Sequence, residues 1–375
     1  MKYSFSLLLF IFLLQCSFAQ STLRIELRNQ PITHLDDSIY VAGSFNGWEP
    51  GLKPFYFRKN EQGILYTEIN QLQKGVFEFK ITRGTWEKVE CKTKGGSIQN
   101  RIINFNKDTT IYLSVEAWND DFPKRPPVST KTKQVFIIDS AFNIPQLNRQ
   151  RRIWIYLPEN YFFEKRRYPV LYMHDGQNLF DERTSSYGEW GVDEMMDSIN
   201  PGRQCIIVGI DHGDSKRLTE YNPYDSRFGK GEGEAYVEFL VNTLKPFIDK
   251  HYRTKPLRSN TYIAGSSMGG LISMYAAIKH PEVFGNAGII SPSFWISPSL
   301  SKTIDSSVKI QQTRFYFLCG EKESTEMVTD MKKIYDQLKL KGVKNMQFKT
   351  VIDGTHNETF WSREMYELYK WLNKN

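Results

Sequence analysis

The sequence predicts an α/β fold, a mostly parallel sheet covered by helices, with a smaller all-β domain ahead of it. Three observations carry this prediction. From Gln134 onward, apolar runs alternate with helical segments. Between Leu23 and Trp118 only short alternating strands appear, with turn signals between them. A polar, proline-containing stretch separates the two regions.

The first residues read as a targeting segment. Lys2 supplies a charge, Phe5–Leu14 is mostly apolar, and Ser17-Phe18-Ala19 is a small-x-small cleavage site. Residues 1–19 are therefore expected to be a cleavable signal peptide, which places the protein in a periplasm or outside the cell. The apolar run is too short to span a bilayer comfortably, and no later stretch is long enough. Beyond the leader the cysteines are Cys91, Cys205 and Cys319, an odd set on separate segments that does not suggest a disulfide framework. The formal charge is +7, or +6 once Lys2 is lost (7 − 1). Acidic residues interleave with the basic ones throughout, so the charge reads as a solvated surface rather than a nucleic-acid footprint.

In residues 20–118 the expected strands are Leu23–Leu27, Ile39–Val41, Tyr56–Arg58, Leu65–Ile69, Val76–Ile81, Ile102–Phe105 and Ile111–Val115. Turns at Asn46-Gly47, Asn60–Gly63, Lys74-Gly75 and Gly95-Gly96 separate them, the pattern of an immunoglobulin-like β-sandwich. Residues 119–133 have linker composition, with Pro123, Pro126 and Pro127 among acidic and basic residues. Residues 134–375 open with Val135–Ile138 and Ile153–Leu157 as an antiparallel start. Then come strands Val170–Met173, Ile206–Ile210, Tyr262–Ala264, Ala287–Ile290, Phe315–Leu318 and Met346–Val351, apolar enough to be buried on both faces. Helices are expected at Ala235–Lys250, Met268–Lys279, Glu326–Leu340 and Glu358–Leu372.

The chemistry centres on Gly265-Ser266-Ser267-Met268-Gly269, which follows an apolar strand and opens an apolar helix. That is the Gly-x-Ser-x-Gly nucleophile elbow in its strand–turn–helix setting, with Ser267 at the sharp turn and Ser266 next to it. A serine nucleophile needs a base, and in an α/β-hydrolase sheet the order is Ser, acid, His. Of the six histidines, only His356 follows Ser267 on a loop after a strand. His251 and His280 fit helix C-termini, where a cation complements the dipole. The acid falls in Cys319-Gly320-Glu321-Lys322-Glu323-Ser324, where spacing alone does not separate Glu321 from Glu323. The oxyanion hole calls for two backbone N–H groups: Met268, directly after the serine, and Gln177, in the loop after Val170–Met173. His174, Asp175, Asp211, His212 and Asp214 lack any tight metal-ligand spacing, so neither metal nor cofactor is expected.

Four segments together resemble the esterase D, or putative esterase, family: Leu171–Phe180, the Gly265–Gly269 elbow, Ser291-Pro-Ser-Phe-Trp295 and Gly354-Thr-His-Asn-Glu358. That group includes feruloyl and acetyl-xylan esterases, enterochelin esterases, S-formylglutathione hydrolases and mycolyltransferases. The resemblance implies Ser267 as nucleophile, His356 as base, Glu323 as acid, and the N–H groups of Gln177 and Met268 as oxyanion donors. It also implies that Trp190, Trp295 and Trp361 line the substrate cleft. The first domain, through Ala42–Trp48 and Phe77–Trp86, is similar to glycogen- and starch-binding modules. There Trp48, Trp86 and Lys80 would form the sugar platform. The expectation is a secreted serine esterase acting on small or polysaccharide esters. A siderophore esterase, an acyltransferase and a non-catalytic carbohydrate-binding surface protein are the alternatives.

Overall fold

The computed structural model describes residues 21–122 and 128–374. The expected signal peptide at 1–19 lies outside the described residues, as do residues 123–127 of the expected linker. The chain divides into two compact units, Met1–Arg125 and Pro126–Asn375.

In the first unit, Leu23–Asn29 pairs antiparallel with Leu65–Ile69 and parallel with Thr109–Ser114. With Arg58–Lys59 these make a four-stranded sheet; Tyr40–Gly43, Gly75–Thr82 and Arg101–Phe105 make a three-stranded one. Alternation does the work: Leu23, Ile25 and Leu27 from one sheet meet Val41, Phe79, Ile81 and Phe105 from the other in a single apolar core. The strand expected at Tyr56–Arg58 is only Arg58–Lys59, because Pro54 sits in a tight turn at Lys53–Phe55. A two-residue ribbon, Glu90–Cys91 against Ala117–Trp118, is too short to leave a periodic signal. Buried Glu90 fastens it by accepting from Arg101 Nη2 at 2.6 Å and the Ile81 N–H at 2.8 Å.

The second unit holds an eight-stranded sheet. Its strands are β1 (Val135–Ile144), β2 (Arg149–Tyr156), β3 (Val170–His174), β4 (Ile206–Ile210), β5 (Thr261–Ser266), β6 (Asn286–Ile290), β7 (Arg314–Gly320) and β8 (Met346–Val351). The order across the sheet is β1-β2-β4-β3-β5-β6-β7-β8. β1, β2 and β4 pair antiparallel, and from β4 to β8 every pair is parallel. The helices are α1 (Val192–Asp197), α2 (Arg217–Glu220), α3 (Gly233–Phe239), α4 (Lys245–His251), α5 (Met268–Lys279), α6 (Leu300–Ser306), α7 (Thr325–Leu340) and α8 (Glu358–Leu372).

Successive residues of the central strands serve opposite faces. Val170 and Tyr172 join the cluster with α3, α5 and α7, whereas Leu171 and Met173 join the one with α1 and α8. That is why these strands read as unbroken apolar runs. The helix expected at Ala235–Lys250 is interrupted by a π turn at Leu240–Leu244. Pro246 follows that turn, lacks an N–H and cannot complete the regular ladder. α5 is buried along Met268–Ile278, so apart from Ser273 it is apolar on every side rather than along one stripe. Cys91, Cys205 and Cys319 are all buried free thiols.

Candidate active site

β5 ends at Ser266 and the chain reverses sharply at Ser267, which has φ 57° and ψ −120°. Such backbone costs a non-glycine residue on the order of 1–3 kcal/mol and persists only when its surroundings enforce it. They do so here. The Ser267 N–H donates to Ile290 O at 2.9 Å, and its own carbonyl accepts from Leu271 and Ser293 N–H groups, each at 3.1 Å. A Cβ on Gly265 would stand 2.8 Å from the Gly269 carbonyl carbon, so the elbow closes only with glycine there. The hydroxyl is thereby raised over the start of the twelve-residue α5, whose dipole favours negative charge.

The loops after β7 and β8 supply the acid and the histidine. They cross at Gly320 and Gly354, where a Cβ on Gly320 would lie 2.3 Å from the Gly354 carbonyl carbon. This crossing sets His356 Nδ1 2.8 Å from Glu323 Oε2. The Glu323 side chain is fully buried. Its other oxygen accepts from Ser291 Oγ at 2.6 Å and the Gly320 N–H at 2.8 Å. Glu321 points elsewhere, accepting from Thr350 Oγ1 at 2.7 Å. Trp361 Nε1 donates to Ser291 Oγ at 2.9 Å, and the Trp361 ring meets His356 edge to face, with centroids 4.9 Å apart. The imidazole is held on two sides. Ser267 Oγ, for its part, is hydrogen-bonded to Ser293 Oγ at 3.1 Å.

The opposite wall is the loop after β3. Asp175 takes a left-handed conformation, φ 57°, and a tight turn follows at Gly176–Asn178. A Cβ on Gly176 would be 2.7 Å from the Gly209 carbonyl carbon, which explains the glycine. Arg217 of α2 grips Asp175 through two hydrogen bonds of 2.7 and 2.8 Å. Burial opposes the Asp175 charge, but the Arg217 charge and hydrogen bonds outweigh it and hold this carboxyl below its ordinary range. His174 is buried with Nδ1 2.9 Å from Tyr236 Oη, and burial pushes its pKa down to about 4. It is a neutral core histidine. The Gln177 side chain accepts from the His212 N–H at 3.2 Å, fixing the turn whose N–H the sequence assigned to the oxyanion hole. Met268 opens α5, so its N–H has no carbonyl one turn back to bind.

Glu358 is a neighbour that sequence reasoning left without a role. It lies 8% exposed behind His356, and Asn178 Nδ2 donates to it at 3.4 Å. Burial first, and the Asp175 charge among others, push its pKa up to about 7. Ser291, Ser293 and Arg217 were likewise given no part. The Ser291–Trp295 motif held the signal for the first two. Nothing local tied Arg217 to Asp175, a partner 42 positions away.

The three tryptophans assigned to the cleft differ in exposure. Trp190 and Trp361 are 4% and 5% exposed and pack against each other in the core, centroids 5.6 Å apart and planes tilted by 40°. Trp295 is 44% exposed, two residues from Ser293. Phe228 meets it edge-on at 6.5 Å, and the Arg227 guanidinium lies 5.5 Å from its ring. In the first unit, Trp48 and Trp86 come together with centroids 6.2 Å apart and planes tilted by 41°. Lys80 Nζ is instead tied to the Ile98 carbonyl at 2.8 Å, and burial lowers its pKa. Of the residues weighed for a metal, Asp211 is engaged by Arg152 and Trp154, and Asp175 by Arg217. His251 and His280 bond the Phe247 carbonyl and the carboxylates of Glu238 and Glu282.

An eight-stranded sheet with this strand order and an elbow after β5 has the α/β-hydrolase fold, shared with solved esterase structures. Residues 144–372, more than half of the chain, match the family described as "Putative esterase", and the chain belongs to that family. It is 27% identical over 242 residues to the uncharacterized protein YbbA of Bacillus subtilis, spanning 59% of this chain and 92% of that one. It is 30% identical over 217 residues to an endo-1,4-beta-xylanase/feruloyl esterase of Xylanibacter ruminicola, covering 56% of this chain and 27% of that protein. The enterobactin esterase FES of Shigella flexneri superposes with a TM-score of 0.55 at 16% identity, over 94% of this chain and 92% of that one, a likeness of fold.

Proposed function

We propose that the protein is an exported serine esterase that removes acyl groups, feruloyl or acetyl, from polysaccharide or oligosaccharide through an acyl-enzyme on Ser267. The observation that carries this reading is the buried Glu323 carboxylate 2.8 Å from His356 Nδ1, on the loop two strands across the sheet from a serine in strained backbone. Ser267 Oγ turns from Ser293 toward His356, attacks the ester carbonyl and gives its proton to His356 Nε2. Glu323 keeps the ring in the Nδ1–H tautomer and offsets the imidazolium charge. The N–H groups of Met268 and Gln177 hold the oxyanion. The imidazolium then protonates the leaving alcohol. A water molecule, deprotonated by His356, releases the acid and regenerates the serine.

The half-exposed Trp295, with Phe228 beside it and Arg227 near its ring, suits a flat aromatic acyl group better than acetyl. The feruloyl esterase relative points the same way. Trp48 and Trp86 would offer sugar a tilted apolar surface in the first unit. A siderophore esterase is the second reading. It is favoured because the enterobactin esterase fold matches 94% of this chain, the first unit included.

Ser267→Ala is expected to abolish hydrolysis of 4-nitrophenyl acetate while circular dichroism and melting stay unchanged; full activity in that variant would overturn the assignment and turn attention to Ser266. Among feruloyl, acetyl-xylan and cyclic triserine esters, the feruloyl ester is expected to give the highest kcat/KM. A preference for the cyclic triserine ester would select the second reading.

A further inference from the structure

Away from the triad, three carboxylates converge at the start of α1. Glu189, Asp193 and Glu194 each bring a carboxylate oxygen within 4.8 Å of the other two. Asp193 is fully buried, at 0% exposure. Its Oδ2 accepts the Thr132 N–H at 2.7 Å, whereas its Oδ1 is buried without a hydrogen-bond partner. Glu189 repeats the arrangement: Oε2 accepts from Thr130 Oγ1 at 2.6 Å, and Oε1 is buried and unpartnered. Among the described residues, none of the three makes an ion pair with lysine, arginine or histidine.

A carboxylate oxygen only accepts, and leaving one buried without a donor costs several kcal/mol. Three such groups facing one another are relieved either by a proton shared between two of them or by a cation among all three. Burial first, then the hydrogen bond to Asp193 and its charge, push Glu194 up to about 8, so without a cation this carboxyl holds a proton that a divalent ion would displace. All the donors are hard oxygens at flexible angles, and one ligand, Glu194, is exposed and leaves room for water. We propose that Glu189, Asp193 and Glu194 form a binding site for a hard divalent cation of the Ca²⁺ class, with Asp193 Oδ1 as its buried ligand.

The place of the site gives the cation a task. Trp190 lies inside the liganding segment, its carbonyl accepts from Ser362 Oγ at 2.6 Å, and its ring packs against Trp361 at a 40° tilt. Trp361 in turn bonds Ser291 and flanks His356. The cation fastens the loop that backs the histidine; it is not part of the ester chemistry.

The full chain, stripped with a chelator, is titrated with Tb³⁺ while tryptophan is excited, since Trp190 adjoins Glu189. Sensitised emission that Ca²⁺ displaces is expected. A melting temperature higher by about 5 °C or more is expected at a hundredfold excess of Ca²⁺ over its Kd. Asp193→Asn removes both signals. Glu194→Gln, at an exposed position that leaves the fold intact, weakens Ca²⁺ at least about tenfold, while Glu182→Gln leaves it unchanged. The proposal fails if Tb³⁺ gives no emission and melting is the same in chelator and in about 10 mM Ca²⁺. It fails equally if Glu194→Gln binds Ca²⁺ as the parent does.

Discussion

Ser267 and Trp48 both sit in left-handed backbone, at φ 57° and 62°, and both were singled out as functional from local sequence. Their surroundings differ. Around Ser267, a backbone hydrogen bond to the Ile290 carbonyl and two from the Leu271 and Ser293 N–H groups lock the turn, and a buried acid–histidine pair converges from two other loops. Around Trp48 the turn is closed by its own N–H to the Gly43 carbonyl at 2.9 Å, and the nearest aromatic partner is a half-buried Trp86. Lys80, the third expected member, is bound to a backbone carbonyl. A strained residue becomes a site only where distant chemistry is brought to it. That condition is met in the second unit and only in part in the first.

The contrast can be broken from either side. Glu323→Gln keeps the shape but withdraws the charge that orients His356. It is expected to lower kcat about 10²- to 10⁴-fold with KM little changed, read by steady-state hydrolysis of a nitrophenyl ester. A loss below about threefold would put the acid elsewhere, with Glu321 the next residue to change.

Glu358 sharpens the same side through pH. Its pKa in the folded chain is raised from 4.5 to about 7, so the folded protein holds this proton more tightly than the unfolded chain does. The stability this contributes is full below about 4.5 and is lost as pH rises through about 7. Glu358→Gln removes that loss. Denaturant melts at about pH 5 and pH 8 are expected to differ by roughly 2–3 kcal/mol less in the variant than in the parent. An unchanged pH dependence would mean that Glu358 is charged in the fold.

The smallest effect belongs to the first unit. Trp48→Ala is expected to leave turnover of a soluble nitrophenyl ester within about twofold, since no catalytic group is invoked there. If the module holds sugar, retention on an insoluble xylan or starch column falls several-fold, a surface platform contributing about 1 kcal/mol per ring.

Much of this was legible in the sequence because it is local. Apolar runs such as Val170–Met173 and Ile206–Ile210 announce strands covered on both faces, and the glycines at 265 and 269 announce an elbow. The same local logic pointed to His356 by its place after the last strand. It did not separate Glu321 from Glu323, because both sit in one loop and the choice depends on where Gly354 crosses Gly320. It did not announce that Trp190 and Trp361 are buried against each other, because burial of an aromatic ring is decided by partners far along the chain. The Asp175–Arg217 grip and the Ser291 bridge are long-range contacts with no periodic signature. The carboxylate trio was passed over for a related reason. The search for metal ligands weighed the histidine-containing loops, while Asp193 reveals itself only by being buried without a donor.

The central claim is that Ser267 carries the acyl group. Treating the folded protein with a fluorophosphonate and mapping the adduct by peptide mass spectrometry tests it directly. One label is expected, on Ser267, formed at least about a hundredfold more slowly in Glu323→Gln. A label on Ser266 or Ser293, or no label in a preparation that still hydrolyses esters, would contradict it.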